Sequence, residues 1–289
     1  MKLFDYFLYA VVVFGWSTSW FPLKMQLGVV APEVSLFWRF LIASFLMFVI
    51  SFVTRQPLRF SWRTHMRIAA LGLCLFSGNF TLFYYAGLHS TSGLLAVMFS
   101  MASLINVLMV ASLTRTAPKQ THLVAALVGI GGVALLFWPE LQISETAVLT
   151  ILLCFMGTLF FCTGNMVSAS AQKAGFSVIG TASWGMLYGA CYLGILSIFR
   201  GQEFIIEPTF VYVTSLIWLA LISSVFTFSA YLMLIGRIGA GRTGYATVIF
   251  PVFALMISTF LESYIWTWYA LNGLALVVIG NVIMVRSRG

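Results

Sequence analysis

Apolar residues run along this chain in ten long stretches, each closed by a few polar, glycine or proline positions. A bilayer core of about 30 Å takes roughly twenty helical residues. The pattern therefore predicts ten membrane-spanning helices, at 4–22, 33–54, 67–87, 91–113, 121–138, 146–169, 177–199, 210–235, 243–261 and 267–285. The connectors carry breakers: Gln56-Pro57, Ala117-Pro118, Pro139-Glu140, Glu207-Pro208 and Gly239-Ala240-Gly241. None of them is long enough for a soluble domain, so any activity is expected inside the bundle. Lys2 followed by an apolar run has the outline of a signal peptide, but Trp16, Trp20, Phe21 and Pro22 do not suit a small-residue cleavage site.

Composition strengthens this reading. Hydrophobic residues make up 61% of the chain and charged residues 8%, where a soluble domain is about a quarter charged. The charges also sort by side. With the N-terminus inside, Lys2, Arg55, Arg59, Arg63, Arg67, Arg115, Lys119, Lys173, Arg237, Arg242, Arg286 and Arg288 fall on the cytoplasmic side. Only Lys24 and Arg200 face outward, and Arg39 lies within the second span. Glu33, Glu140, Glu145, Glu203, Glu207 and Glu262 fall outside and Asp5 inside. Lys and Arg bias over short loops sets orientation. The expected placement is a bacterial-type inner (plasma) membrane, crossed many times, with both termini cytoplasmic. The same scatter of charge leaves no basic patch for nucleic acid.

The chain also repeats itself. Gly132 matches Gly280 at a spacing of 148, and Met101 matches Pro251 at 150. The first span overlays the sixth at 145, pairing Trp16 with Phe161 and Trp20 with Asn165. A repeat of five helices re-enters the membrane from the opposite side, which puts a substrate site near the midplane between the halves. The expected fold is thus an all-α polytopic membrane protein of ten transmembrane helices in two inverted five-helix repeats, residues 1–140 and 141–289.

The first-helix stretch Gly15-Trp16-Ser17-Thr18-Ser19-Trp20, Lys24 beyond it, Arg39 early in helix 2, Pro251 midway along helix 9 and Glu262 at its end together resemble the drug/metabolite transporter superfamily, EamA type. The resemblance covers nearly the whole chain. It implies transport, often export, of amino acids or other small metabolites through a central cavity lined by both halves. In one departure, Ser100-Met101 stands where the second half has Phe250-Pro251, so any helix break there is expected to be asymmetric.

Arg39 is the basic residue that topology leaves unexplained. It lies six residues, roughly 9 Å, along its helix from Glu33. Three readings stand: an outer-rim salt bridge to Glu33 or Glu262, a gate or substrate-carboxylate contact, and snorkelling to water. Lys24 is read as an interface anchor or a substrate-binding cation, and Pro251 as a functional or structural kink. A polar and aromatic set is expected near the midplane: Trp16, Ser17 and Trp20; Ser77, Asn79 and Tyr84; Met98 and Met101; Phe161 and Asn165; Trp184 and Tyr188; Ser223 and Thr227. Each is open to a packing reading, since buried amides need partners and aromatics supply shape. As a set they suit amino acids or other neutral, weakly charged amphiphiles. Gly185 and Gly189, with Gly129, Gly131 and Gly132, are expected to permit close helix contact.

Cys74, Cys154, Cys162 and Cys191 show no metal-ligand spacing, and His65, His89 and His122 are scattered. No catalytic group, metal or cofactor is expected, and no hydrolase or nucleotide motif is present. The expected function is secondary transport of small metabolites by alternating access, with amino-acid export preferred. The alternatives are uptake or exchange of another metabolite or a cationic drug, and, in another class, an intramembrane enzyme or a channel. The expected partners are the small-molecule substrate and the lipid bilayer, with the chain a monomer or homodimer.

Overall fold

The computed structural model describes residues 2–113, 115, 117, 119–243 and 246–286. Among them every regular element is helical. The helices are α1 (Leu3–Met25), α2 (Pro32–Val53) and α3 (Trp62–Gly87), then α4 in the pieces Ser92–Ser100 and Ala102–Leu113, α5 (Gln120–Ile143), α6 (Ala147–Lys173) and α7 (Val178–Phe199). The last three are α8, which runs from Phe210 to Thr243, α9 (Ala246–Leu261) and α10 (Trp268–Arg286). Eight of them are long and apolar enough to cross a bilayer, and stretches of α9 and α10 are shorter apolar helices. Large apolar side chains such as Phe14, Phe45, Phe52, Leu127, Ile198 and Phe260 stand exposed around the bundle. That is the surface a lipid-facing wall requires, with the backbone hydrogen-bonding groups turned inward into helices.

Two breakers do not act as expected. α5 continues through Pro139 to Ile143, and α8 through Gly239-Ala240-Gly241 to Thr243. α3 starts at Trp62, five residues early, because the Ser61 hydroxyl accepts from the Thr64 amide and caps it. Pro118 and Arg288, and the side chains of Arg242 and Glu140, lie outside the described residues.

Hydroxyl groups explain two interruptions. In α1, Ser17, Thr18 and Ser19 each donate to the carbonyl four residues back, on Val13, Phe14 and Gly15. Such back-bonding bends a helix, and α1 is broken between Ser17 and Trp20. In α4 the break falls at Met101. There Ser100 donates to the Val97 carbonyl at 2.6 Å, and Asn281 of α10 donates to Ser100. The expected asymmetry is present: the half without proline breaks, while α9 runs unbroken through Pro251.

Both α3 and α8 contain a π-helical stretch, Cys74–Gly78 and Leu219–Thr227. Their starts are 145 residues apart, the spacing that overlays the first span on the sixth. The helix pairs follow the same rule. α2 packs on α7, α4 on α9 and α5 on α10, while α1 packs on α8 and α9 as α6 packs on α3 and α4. Exchanging each helix for the one five places on leaves this set unchanged. Small residues allow the closest approaches. A Cβ on Gly132 would lie 2.6 Å from the Val277 amide nitrogen, and one on Gly189 would lie 2.7 Å from Phe76 Cβ. Gly131, by contrast, faces open space.

Candidate functional site

The bend in α1 carries Trp16 into the middle of the bundle, where its ring meets rings from four other helices. These are Phe99 of α4, Phe161 of α6, Phe228 and Tyr231 of α8, and Phe250 of α9, at centroid distances from 4.6 to 6.1 Å. One turn on, Trp20 packs on Phe83 of α3 at 5.3 Å and on Phe99 at 5.6 Å. Aromatic pairs of this kind add about 0.5–1.5 kcal/mol each beyond the area they bury. The cluster holds α1 against both halves of the chain.

Beside it lies a cavity whose polar lining is Ser19, Arg39, Asn79 and Ser223 and whose walls include Trp16, Trp20, Phe80, Phe83, Phe99 and Phe228. Its volume is about 30 Å³, room for about two waters. It is a narrow space that an amino acid would have to widen.

Arg39 is 1% exposed and has neither of its expected partners. Its Nε donates to Ser224 Oγ and its Nη2 to Ser223 Oγ, both at 3.0 Å. The guanidinium carbon sits 4.4 Å from the centre of the Phe80 ring and 5.2 Å from that of Phe40. Nη1 has no hydrogen-bond partner, nor has Asn79 Oδ1. The serine partners belong to the π-helical stretch of α8, so the cation of the first half is held by the second.

The carboxylates that sequence paired with Arg39 are used elsewhere. Glu33, fully buried, lies 3.3 Å from Arg200 Nη1 and accepts from the Tyr85 hydroxyl at 2.8 Å. Glu262 accepts from the Ser92 backbone amide, the Ser92 hydroxyl and the Ser258 hydroxyl, capping the start of α4, where a helix favours negative charge. Lys24 donates to the carbonyls of Gly87 and Ser90 at the end of α3, an intramolecular cap rather than a free anchor. At the opposite, basic end Arg237 of α8 donates from Nε to Asp5 of α1 at 2.6 Å.

Of the expected midplane set, Trp16, Trp20, Asn79 and Ser223 line the cavity, while Phe161 stands behind Trp16. Ser17 ties α1 to the Phe250 carbonyl of α9. Thr227 turns back to the Ile222 carbonyl within the π stretch. Tyr84 donates to Gln26 at 2.8 Å, and Asn165 donates to the Tyr231 hydroxyl at 3.3 Å. Met98, Met101 and Ser77 are buried in the packing. Trp184 and Tyr188 are not at the cavity: Trp184 donates to the Leu58 carbonyl and Tyr188 bonds His65, beneath the basic loop after α2. One helical turn separates them, so the same α7 face that the pattern aimed at the midplane reaches that loop. Ser224, Phe80, Phe83, Phe99 and Phe228 were not singled out by the sequence, and Ser19 only as part of the first-helix stretch. The available signal was the 145-residue spacing of Phe83 and Phe228.

The EamA-like transporter family model matches this chain twice, over residues 3–138 and 148–286. An uncharacterized transporter of Buchnera aphidicola subsp. Schizaphis graminum is 24% identical over 269 residues, 92% of this chain and 87% of the relative. The uncharacterized transporter YoaV of Bacillus subtilis is 24% identical over 244 residues, 83% of this chain and 82% of its own length. A solved crystal structure superposes with a TM-score of 0.72 at 15% identity, covering 98% of both chains.

Proposed function

The chain belongs to the EamA-like transporter family, a multi-pass membrane fold, and from that premise we propose that it exports amino acids or related small metabolites by alternating access. The observation that carries the reading is the cavity at the junction of the halves, with Arg39 of α2 held by Ser223 and Ser224 of α8. Two five-helix units, 1–140 and 141–289, in opposite orientations would place such a site at their interface. The double family match, the paired π-helical stretches and the exchangeable helix contacts support those units. Basic loops on one side support an inner membrane with both termini cytoplasmic. Hydrogen bonds tie α4 to α9 at the acidic end, through Glu262, and an ion pair ties α1 to α8 at the basic end. Opening one end while the other stays tied is the motion this reading requires.

Counterflow tests it. Proteoliposomes loaded with unlabelled phenylalanine or leucine should take up labelled substrate in a transient, saturable overshoot. Unsaturable equilibration without overshoot would identify a pore and overturn the proposal.

A further inference from the structure

We propose that the transported molecule is recognised through a carboxylate bound by Arg39, and that an amino group on it is dispensable. This rests on the transport reading above and narrows its substrate class.

The argument is one of charge and free hydrogen-bond positions. Arg39 is 1% exposed; among the described residues its guanidinium donates to two serine hydroxyls, with the Tyr84 phenol beside it as a further neutral polar neighbour. Ring faces of Phe40 and Phe80 add a partial, neutral compensation. A buried cation with only neutral partners is costly, and an anion is what relieves that cost. A guanidinium has five N–H donors. Ser224 uses that of Nε and Ser223 one of Nη2. Both donors of Nη1, which has no partner, and one of Nη2 remain. Those two nitrogens form the end-on fork that grips a carboxylate with two parallel hydrogen bonds.

The cavity offers an ammonium group much less. Among the described residues no Asp or Glu lines it, and Asn79 Oδ1 there has no hydrogen-bond partner. An ammonium would have that oxygen, the Ser19 hydroxyl as a neutral acceptor and the faces of Trp16 and Trp20, against repulsion from Arg39. A cationic drug meets the same repulsion, which disfavours the cationic-substrate alternative. Rings form most of the remaining wall, so the body of the ligand is apolar.

Three molecules on one scaffold separate the groups: phenylalanine, 3-phenylpropionate, which keeps only the carboxylate, and phenylalaninamide, which keeps only the amine. Each is scored by thermal stabilisation of the protein in nanodiscs and by competition in counterflow. Phenylalanine and 3-phenylpropionate should act at similar concentrations, and the amide should be weaker by about tenfold or more. R39Q should abolish the effect of both acids, and R39K should weaken them while keeping the charge. If R39Q fails to fold, R39K and S223A, measured as affinity, carry the same comparison. An amide as effective as the acids overturns the carboxylate site while leaving counterflow, and hence transport, intact. Stabilisation by sodium chloride equal to that by the acids also overturns it, because Arg39 would then hold a simple halide. Counterflow absent for all three defeats the transport reading instead, and stabilisation by the acids alone would still identify the site.

Discussion

Gly15 leaves no room for a side chain: a Cβ there would lie 1.8 Å from Thr227 Oγ1 and 3.0 Å from Thr227 Cβ. Gly15→Ala should therefore destabilise the protein by about 1–3 kcal/mol, read as a lower melting temperature in detergent. Thr227→Ala in the same chain should recover part of the loss, because Oγ1 and Cγ2 leave while Cβ stays. Arg39 offers a second test at this scale. Paired with Ser224→Ala, Arg39→Ala should show coupling above about 0.5 kcal/mol, and with Glu262→Ala the effects should add to within that figure. Reversal of the two results would restore the salt bridge expected from sequence. Arg39 stood out in the sequence because a lone charge in an apolar span is conspicuous. Its partners did not, because a serine in an apolar helix is equally suited to bonding its own backbone, as Ser17 does.

The helices were legible as elements while their irregularities were not. A helix that is apolar all round carries no phase, so an extra residue in a π turn leaves no mark on the pattern. That is why the stretches Cys74–Gly78 and Leu219–Thr227 emerge only from the structure. Their position beside the cavity fits the tendency of π bulges to occur at functional sites. Proline was a poor guide for a related reason: the break in α4 comes from Ser100 and Asn281, whereas Pro251 is absorbed by an unbroken α9. Glycine spacing was a better guide. Gly129, Gly131 and Gly132 share one stretch of α5, yet only Gly131 has open space around it. Gly131→Ala should raise stability by about 0.5–1 kcal/mol through helix propensity. Gly132→Ala should lower it by about 1–3 kcal/mol, since the Val277 nitrogen and the Gly273 oxygen it would meet at 2.6 and 2.7 Å are backbone atoms. Melting curves of the two variants side by side decide it.

At the scale of the molecule, the all-helical, multi-pass architecture followed from the distribution of apolar runs, because bilayer thickness leaves few alternatives. The contacts that tie the two ends did not, since Glu33, Glu262, Lys24 and Asp5 reach their partners across helices far apart in the chain. Those ties give alternating access its most direct test. In a background without the thiols of Cys74, Cys154, Cys162 and Cys191, cysteines replace Asp5 and Arg237 in one protein and Ser92 and Glu262 in another. Each pair is bridged by a short bifunctional thiol reagent in proteoliposomes, and counterflow is measured before and after cleaving the bridge. If the two ends must open in turn, either bridge alone stops counterflow and cleavage restores it. Counterflow undiminished in both bridged proteins would contradict alternating access between these halves.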